Sequence, residues 1–287
     1  MKKTPLIAMP ALLAVALCWG AAFVLMKPAI EQQPIFDFLA TRFTFAAAIM
    51  VAVRPSVIKK IDKDLLKTGL LVGSLLGLGY ITQTIALQIT TAAITGFLTG
   101  LYVVLTPLFA WFVVKQKIAS KVWVGVVLAT VGLALISITG LSIEVGQIWG
   151  IVCAVFFAAH IVGLGKWSPG RDTYALTVVQ LTACAILCWF GALLDGYQAP
   201  PNGEVWGAVL FTAVLATAVA FFVQTWAQSL MDASRVAIIL TAEVVFAAAI
   251  SVWVGQEVLT LKTLLGGALM VASMLVVEWP RRLKALI

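Results

Sequence analysis

An all-α, polytopic membrane protein of ten transmembrane helices in two inverted five-helix repeats is the fold class this sequence predicts. Three observations predict it. Of 287 residues, 62% are hydrophobic and 11% charged, with a mean hydropathy of +1.09, whereas a soluble domain is roughly half apolar and about a quarter charged. Apolar runs of membrane-spanning length recur from one end of the chain to the other. Short motifs of the first half return in the second, and the charges that flank them are reversed. A soluble enzyme, a disordered chain and a nucleic-acid binder all fit this composition poorly, despite a net charge of +7.

A membrane helix takes about 20 mostly apolar residues, so ten would use roughly 200 residues and leave only short loops. The runs lie near 8–27, 35–53, 66–87, 92–114, 121–139, 146–166, 174–194, 204–228, 234–254 and 262–279. The first follows Met1-Lys2-Lys3 and imitates a secretory signal peptide. No small-residue cleavage site follows it, so it is read as the first span. Cys18, Cys153, Cys184 and Cys188 fall inside apolar runs and His160 is the sole histidine. That is no ligand set for a metal, and buried free cysteine acts as a small apolar residue. No cofactor is expected.

Lys and Arg set the orientation, because cytoplasmic loops retain them. With the N-terminus inside, the cytoplasmic loops and the two ends hold sixteen of the nineteen basic residues; Lys27 and Lys262 fall outside, and Arg42 lies within a run. Both termini are therefore expected in the cytoplasm of a bacterial cell, with the chain in its inner membrane. The basic surplus is a topology signal and adds nothing to a nucleic-acid reading.

Gln83-Thr84-Ile85-Ala86 returns as Gln224-Thr225-Trp226-Ala227, an offset of 141 that also lays Tyr102 over Glu243 and Gly125 over Gly266. Ahead of these, an offset of 138 lays Trp19-Gly20-Ala21 over Phe157-Ala158-Ala159 and Arg42 over Gln180. The repeats are expected at 1–140 and 145–287. Five is odd, so the second repeat enters upside down. Lys115 and Lys117 follow the fourth run, whereas Gln256 and Val258 follow the ninth. Inverted repeats are a ground plan of secondary transporters, with substrate near the midplane between the halves. Gly125 and Gly266, as mates, predict that the fifth and tenth runs pack together.

The chain resembles the drug/metabolite transporter superfamily in its ten-helix, two-repeat, EamA-type branch. The residues that carry the resemblance are Cys18-Trp19-Gly20-Ala21-Ala22-Phe23, Arg42-Phe43, Gly96-Phe97-Leu98-Thr99-Gly100-Leu101-Tyr102 with Pro107, Ala233-Ser234-Arg235-Val236-Ala237 and Thr241-Ala242-Glu243-Val244. The family's usual Glu-Pro is Glu243-Val244 here, which keeps the carboxylate and removes a kink. The resemblance implies export or exchange of small metabolites, commonly amino acids, through a cavity lined by helices 1, 3, 4, 6, 8 and 9.

Glu243 sits mid-span, where a carboxylate faces protein or water rather than lipid. It reads as a partner for a substrate ammonium or a proton-binding group, or else as a packing carboxyl, neutral or paired with Arg42. His160 reads as a second proton-coupling group or as a histidine hydrogen-bonded to a neighbouring helix. Tyr80, Tyr102, Trp19, Phe157 and Trp226 compose an aromatic wall suited to apolar or cationic ligands. Trp149, Trp189, Trp206 and Trp279 read as interface anchors. Gln83 and Gln224, at matched depths from opposite ends, either gate the two mouths or bond between helices. Arg42 reads as structural, and Gly69, Gly73 and Gly77 as a small-residue packing stripe.

No Gly-x-x-x-x-Gly-Lys-Ser/Thr loop is present to bind ATP, and neither Gly-x-Ser-x-Gly nor His-Glu-x-x-His occurs. The expectation is a secondary transporter, no enzyme, of amino acids or related small metabolites. It is expected to act as a monomer among membrane lipids, with no nucleic-acid partner. A proton-driven multidrug or organic-cation antiporter is the alternative within transport; a membrane enzyme or lipid-handling protein is the alternative outside it.

Overall fold

A computed structural model describes residues 7–90, 92–137, 145–255, 258 and 260–278. Lys2, Lys3, Gln256, Trp279, Arg281, Arg282 and Lys284, with the junction between the expected repeats, lie outside the described residues.

Every regular element among the described residues is helical. In order they are α1 (Ala8–Gln32), α2 (Ile35–Val53), a 3-10 turn (Pro55–Lys60), α3 (Lys63–Ile89), α4 (Ala92–Gly100), α5 (Tyr102–Val114), α6 (Ser120–Ser137) and α7 (Val145–Trp167). There follow α8 (Thr173–Ala192), α9 (Gly203–Ala213), a π-helical segment (Val214–Val219), α10 (Ala220–Gln228), α11 (Ala233–Leu240), α12 (Ala242–Trp253) and α13 (Leu261–Glu278). Seven helices are long and apolar enough to cross a membrane: α1, α2, α3, α7, α8, the rod Gly203–Gln228 and the rod Ala233–Trp253. Leu98–Val114, Ser120–Leu135 and Leu261–Val277 are shorter apolar helices.

The surface is that of a protein dissolved in hydrocarbon. Trp111, Phe112, Phe190, Leu215 and Leu264 are exposed, while Arg42, His160, Gln180, Gln224, Thr225 and Glu243 are buried. Water would favour the reverse; lipid requires polar groups to turn inward and find partners.

Local chemistry explains the helix limits. Asp62 accepts from Leu65 N at 2.8 Å and starts α3 at Lys63, ahead of its apolar stretch. Asn202 caps α9 in the same way. α1 runs on through Pro28 to Gln32, beyond the expected end at 27. There Lys27 Nζ donates to the carbonyls of Leu87 and Thr90 at the end of α3 (2.7 and 3.2 Å). Those carbonyls form the negative end of the α3 dipole, which gives the Lys27 ammonium its partners.

The fourth and ninth apolar runs, expected as single helices, are each interrupted at one residue within a rod that continues. The first is interrupted at Leu101, whose N–H turns back to Leu98 O. The second is interrupted at Thr241, whose hydroxyl bonds Ile238 O at 2.7 Å; such side-chain back-bonding competes with the helical ladder.

Small residues set the packing. α6 and α13 run antiparallel, and a Cβ at Gly132 would stand 2.6 Å from Gly266 O, while Gly125 faces Val277 and Ser273. The Gly69, Gly73 and Gly77 stripe of α3 lies against α8, at Val179, Gln180 and Cys184 respectively. At Gly20 a Cβ would stand 2.7 Å from Ala247 N and 2.8 Å from Glu243 O. Glycine here lets α12 approach α1 closely, which fixes the position of Glu243.

Outside the spans, Asp172 caps α8 through Tyr174 N and Ala175 N. It also pairs with Lys60 (3.1 Å) and Arg54 (3.8 Å), tying the start of α8 to the 3-10 turn. Desolvation pushes its carboxyl upward, but the cap bond and the two cations outweigh this and hold it below the usual carboxylate range.

Candidate functional site: a cavity between the helices

One cavity draws on α1, α2, α3, α5, α7, α10 and α12, and with its open mouth it encloses about 520 Å³. On its wall Tyr102 OH donates to Glu243 Oε1 at 3.1 Å. Tyr102 opens α5 and Glu243 lies in the first turn of α12, so both side chains come from the points where the two runs are interrupted. They are also repeat mates, 141 residues apart. The packing reading in which Glu243 pairs with Arg42 does not hold, because the carboxyl bonds Tyr102 and no described carboxylate forms an ion pair with Arg42.

Arg42 is fully buried on the cavity wall. Its Nε donates to Thr217 Oγ1 at 2.7 Å, Nη1 to the Met26 thioether at 3.2 Å, and Nη2 to Tyr80 OH (3.3 Å) and Ala216 O (3.4 Å). The guanidinium also lies 4.7 Å from the centroid of the Tyr80 ring. Ala216 and Thr217 belong to the π-helical segment, and Trp19 Nε1 donates to the same Ala216 carbonyl at 2.9 Å. The looser winding leaves that carbonyl free for side chains, a common feature of π-bulges near working sites.

Aromatic rings fill the middle. Tyr80 stands edge-on to Phe157 and Phe221 (centroids 5.4 and 5.9 Å), and Trp19 meets Phe221 at 5.4 Å. Gln83 lines the wall and donates to Thr99 Oγ1 at 3.3 Å. Gln224 lines it too; its Nε2 donates to Gln228 Oε1 at 3.0 Å, while its buried Oε1 has no partner. His160 lines the wall with Nε2 bonded to Gln180 Oε1 at 2.9 Å, so α8 holds its ring.

Trp226 is the candidate that the structure leaves out of the cavity. It stands two residues beyond Gln224, about 200° around a helix, and packs partly buried against the apolar cluster of Leu12 and Val236. Phe23, Met26, Ile161 and Phe221 line the cavity without having been singled out. The repeat carried the missing signal. Tyr80 plus 141 is Phe221, Trp19 plus 138 is Phe157, Ala22 plus 138 is His160, and Phe23 plus 138 is Ile161. With the Gln83/Gln224 and Tyr102/Glu243 mates, twelve of the fifteen lining residues form six such pairs. The remaining three, Met26, Arg42 and Leu76, all come from the first half.

Apolar helices around a cavity lined mainly by aromatic and apolar side chains, with Arg42, Gln83, His160, Gln224 and Glu243 among them, are those of a helical membrane protein. The EamA-like transporter family matches this chain twice, over residues 6–138 and 144–279. The chain belongs to that family, within the drug/metabolite transporter superfamily. An uncharacterized transporter of Archaeoglobus fulgidus is 35% identical over 265 residues, 92% of this chain and 83% of the relative. The uncharacterized transporter YoaV of Bacillus subtilis is 24% identical, over 90% of this chain and 92% of its own. A crystal structure of another protein superposes with a TM-score of 0.80 at 19% identity, covering 94% of this chain and 96% of that one. That likeness concerns the fold.

Proposed function

We propose that this chain is a secondary transporter of a bacterial inner membrane, exporting or exchanging amino acids or related small metabolites by alternating access through the described cavity. In this reading it has ten spans in two inverted repeats, 1–140 and 145–287, with both ends cytoplasmic. The observation that carries it is the lining itself: matched positions of the two halves face one cavity, and the Tyr102–Glu243 bond joins them on its wall. A ligand held there is contacted by both halves, so rocking one against the other transfers it from one side to the other.

The aromatic walls and the buried carboxyl of Glu243 also support a second reading, a proton-coupled antiporter of organic cations. Uptake of a labelled amino-acid panel into proteoliposomes, with and without a pH gradient, tests both. Accumulation or exchange of amino acids supports the first; movement of quaternary ammonium compounds alone, driven by the gradient, supports the second. Reporter fusions after Pro201 should read as periplasmic and fusions after Lys60 as cytoplasmic; a cytoplasmic reading after Pro201 breaks the ten-span count.

A further inference from the structure

We propose that Arg42 is the carboxylate-binding residue of the cavity, facing an ammonium seat made by Glu243 and Gln224 Oε1, so that the ligand is a zwitterionic α-amino acid with an apolar side chain. This rests on the transporter reading and names its substrate class.

Arginine keeps its charge when buried and carries five N–H donors in a planar fork. Around Arg42 those donors find a hydroxyl, a thioether, a phenol and one distant carbonyl, with no described carboxylate in ion-pair range. A thioether is a weak acceptor, and the two Nη2 bonds are long. One Nη1 hydrogen has no acceptor among the described residues and the other meets only the thioether, so Nη1 has capacity left for an anion in the cavity. A guanidinium with only structural duties at a helix interface is ordinarily matched with a carboxylate or strong carbonyls. This one lines an open volume instead.

The opposite requirement is met by groups on other helices. Glu243 presents its carboxyl on α12 with a single hydrogen bond, from Tyr102. Gln224 on α10 presents a buried amide oxygen that finds no partner among the described residues. An ammonium supplies three donors, enough for both acceptors. Tyr80 touches Arg42, and Arg42, Tyr80, Gln224 and Glu243 all line the same cavity, so the two seats open on a common space. The rings of Trp19, Phe157 and Phe221 border it and suit an apolar side chain. Because Arg42 has no basic mate in the second half, where Gln180 occupies the matched position, the ligand has one preferred orientation.

The test is calorimetric titration of the purified full-length chain in detergent with L-phenylalanine, phenethylamine and 3-phenylpropionate, which share a ring and differ in the charged ends. L-Phenylalanine should bind at least ~10-fold tighter than either, the loss expected when a charge-assisted bond is missing. Arg42→Gln should lower L-phenylalanine affinity to that of phenethylamine and leave phenethylamine unchanged. Glu243→Gln should lower it toward that of 3-phenylpropionate. Arg42→Lys keeps the charge without the fork and guards against loss of folding in the Gln variant; it should weaken L-phenylalanine alone. Equal binding of phenethylamine and L-phenylalanine by the wild type overturns the proposal, as does a parallel loss for all probes in folded Arg42 variants, or no binding by any probe. Proteoliposomes that carry phenethylamine as well as L-phenylalanine would leave the transporter reading standing without the Arg42 seat. The expected binding pattern with no probe transported would do the opposite.

Discussion

The first half of the chain brings Arg42, Tyr80, Gln83 and Tyr102 to the cavity, and the second half brings Phe221, Gln224 and Glu243, with Gln180 just behind, bonded to His160. Positions agree; chemistries differ. α3 is an unbroken helix, whereas its mate is wound as a π-helix over Val214–Val219, and the Ala216 carbonyl and Thr217 hydroxyl there receive Trp19 and Arg42. Tyr102 and Glu243 occupy equivalent places and bond each other as donor and acceptor. A repeat thus supplies a frame that places side chains in facing pairs, and divergence within pairs supplies polarity. Two identical halves would present a ligand with two equivalent orientations, and so with no reason to distinguish its ends.

The largest expected effect comes from cancelling that divergence at the Tyr102–Glu243 pair. Glu243→Gln keeps the size and the bond to Tyr102 and removes the charge. Exchange of labelled amino acid in proteoliposomes should fall at least ~10-fold, since a charge-assisted bond is replaced by a neutral one. Tyr102→Phe removes only one hydrogen bond and should fall less. If Glu243→Gln instead exchanges normally but no longer concentrates substrate under a pH gradient, its role is proton coupling; wild-type behaviour in both assays reduces it to packing.

Next in size is a backbone contrast. Gly20 lies against the α12 backbone, whereas its mate in the second half is Ala158. Gly20→Ala copies the second half into the first, and the new Cβ meets backbone atoms that cannot swing aside. We expect a loss of about 1–3 kcal/mol, read as a lower melting temperature in detergent, together with weaker ligand binding because the carbonyl displaced belongs to Glu243. Gly132→Ala, against Gly266 O on α13, should cost a similar amount of stability without altering ligand preference. A change of preference there would mean that α6 and α13 take part in transport rather than scaffold it.

Much of this was legible in the sequence because it depends on pattern. Apolar runs locate helices, and the offsets of 138 and 141 contain the cavity pairs, including Phe221, which no motif marked. Residue type gave less. Trp226 sits inside a repeated motif, but its helical phase turns it away from Gln224 and the cavity. Arg42 read as structural, and sequence could not show that the groups around it are Thr217, Met26, Tyr80 and Ala216 rather than a carboxylate. The breaks at Leu101 and Thr241 were equally hidden: each depends on one or two backbone bonds that hydropathy does not register.

The smallest expected effect tests the same comparison at the membrane edge. Asp172 and Pro34 are mates at an offset of 138, and each stands at the N-cap, of α8 and α2 respectively. Only Asp172 makes side-chain cap bonds, and only it has cations beside it, Lys60 and Arg54. Asp172→Ala should therefore cost about 0.5–2 kcal/mol, while Pro34→Ala, which removes no cap bond, should change stability little. The sign of the pH dependence follows from the depressed carboxyl of Asp172 in the folded protein. Its contribution is present above the unfolded carboxyl value of about 3.9 and is lost as pH falls through the lower folded value. The melting-temperature gap between wild type and Asp172→Ala should be full at pH 7 and narrow toward pH 3. A gap that stays constant over that range would mean that the ionised carboxylate contributes nothing at this helix start, and that the two mates differ only in backbone shape.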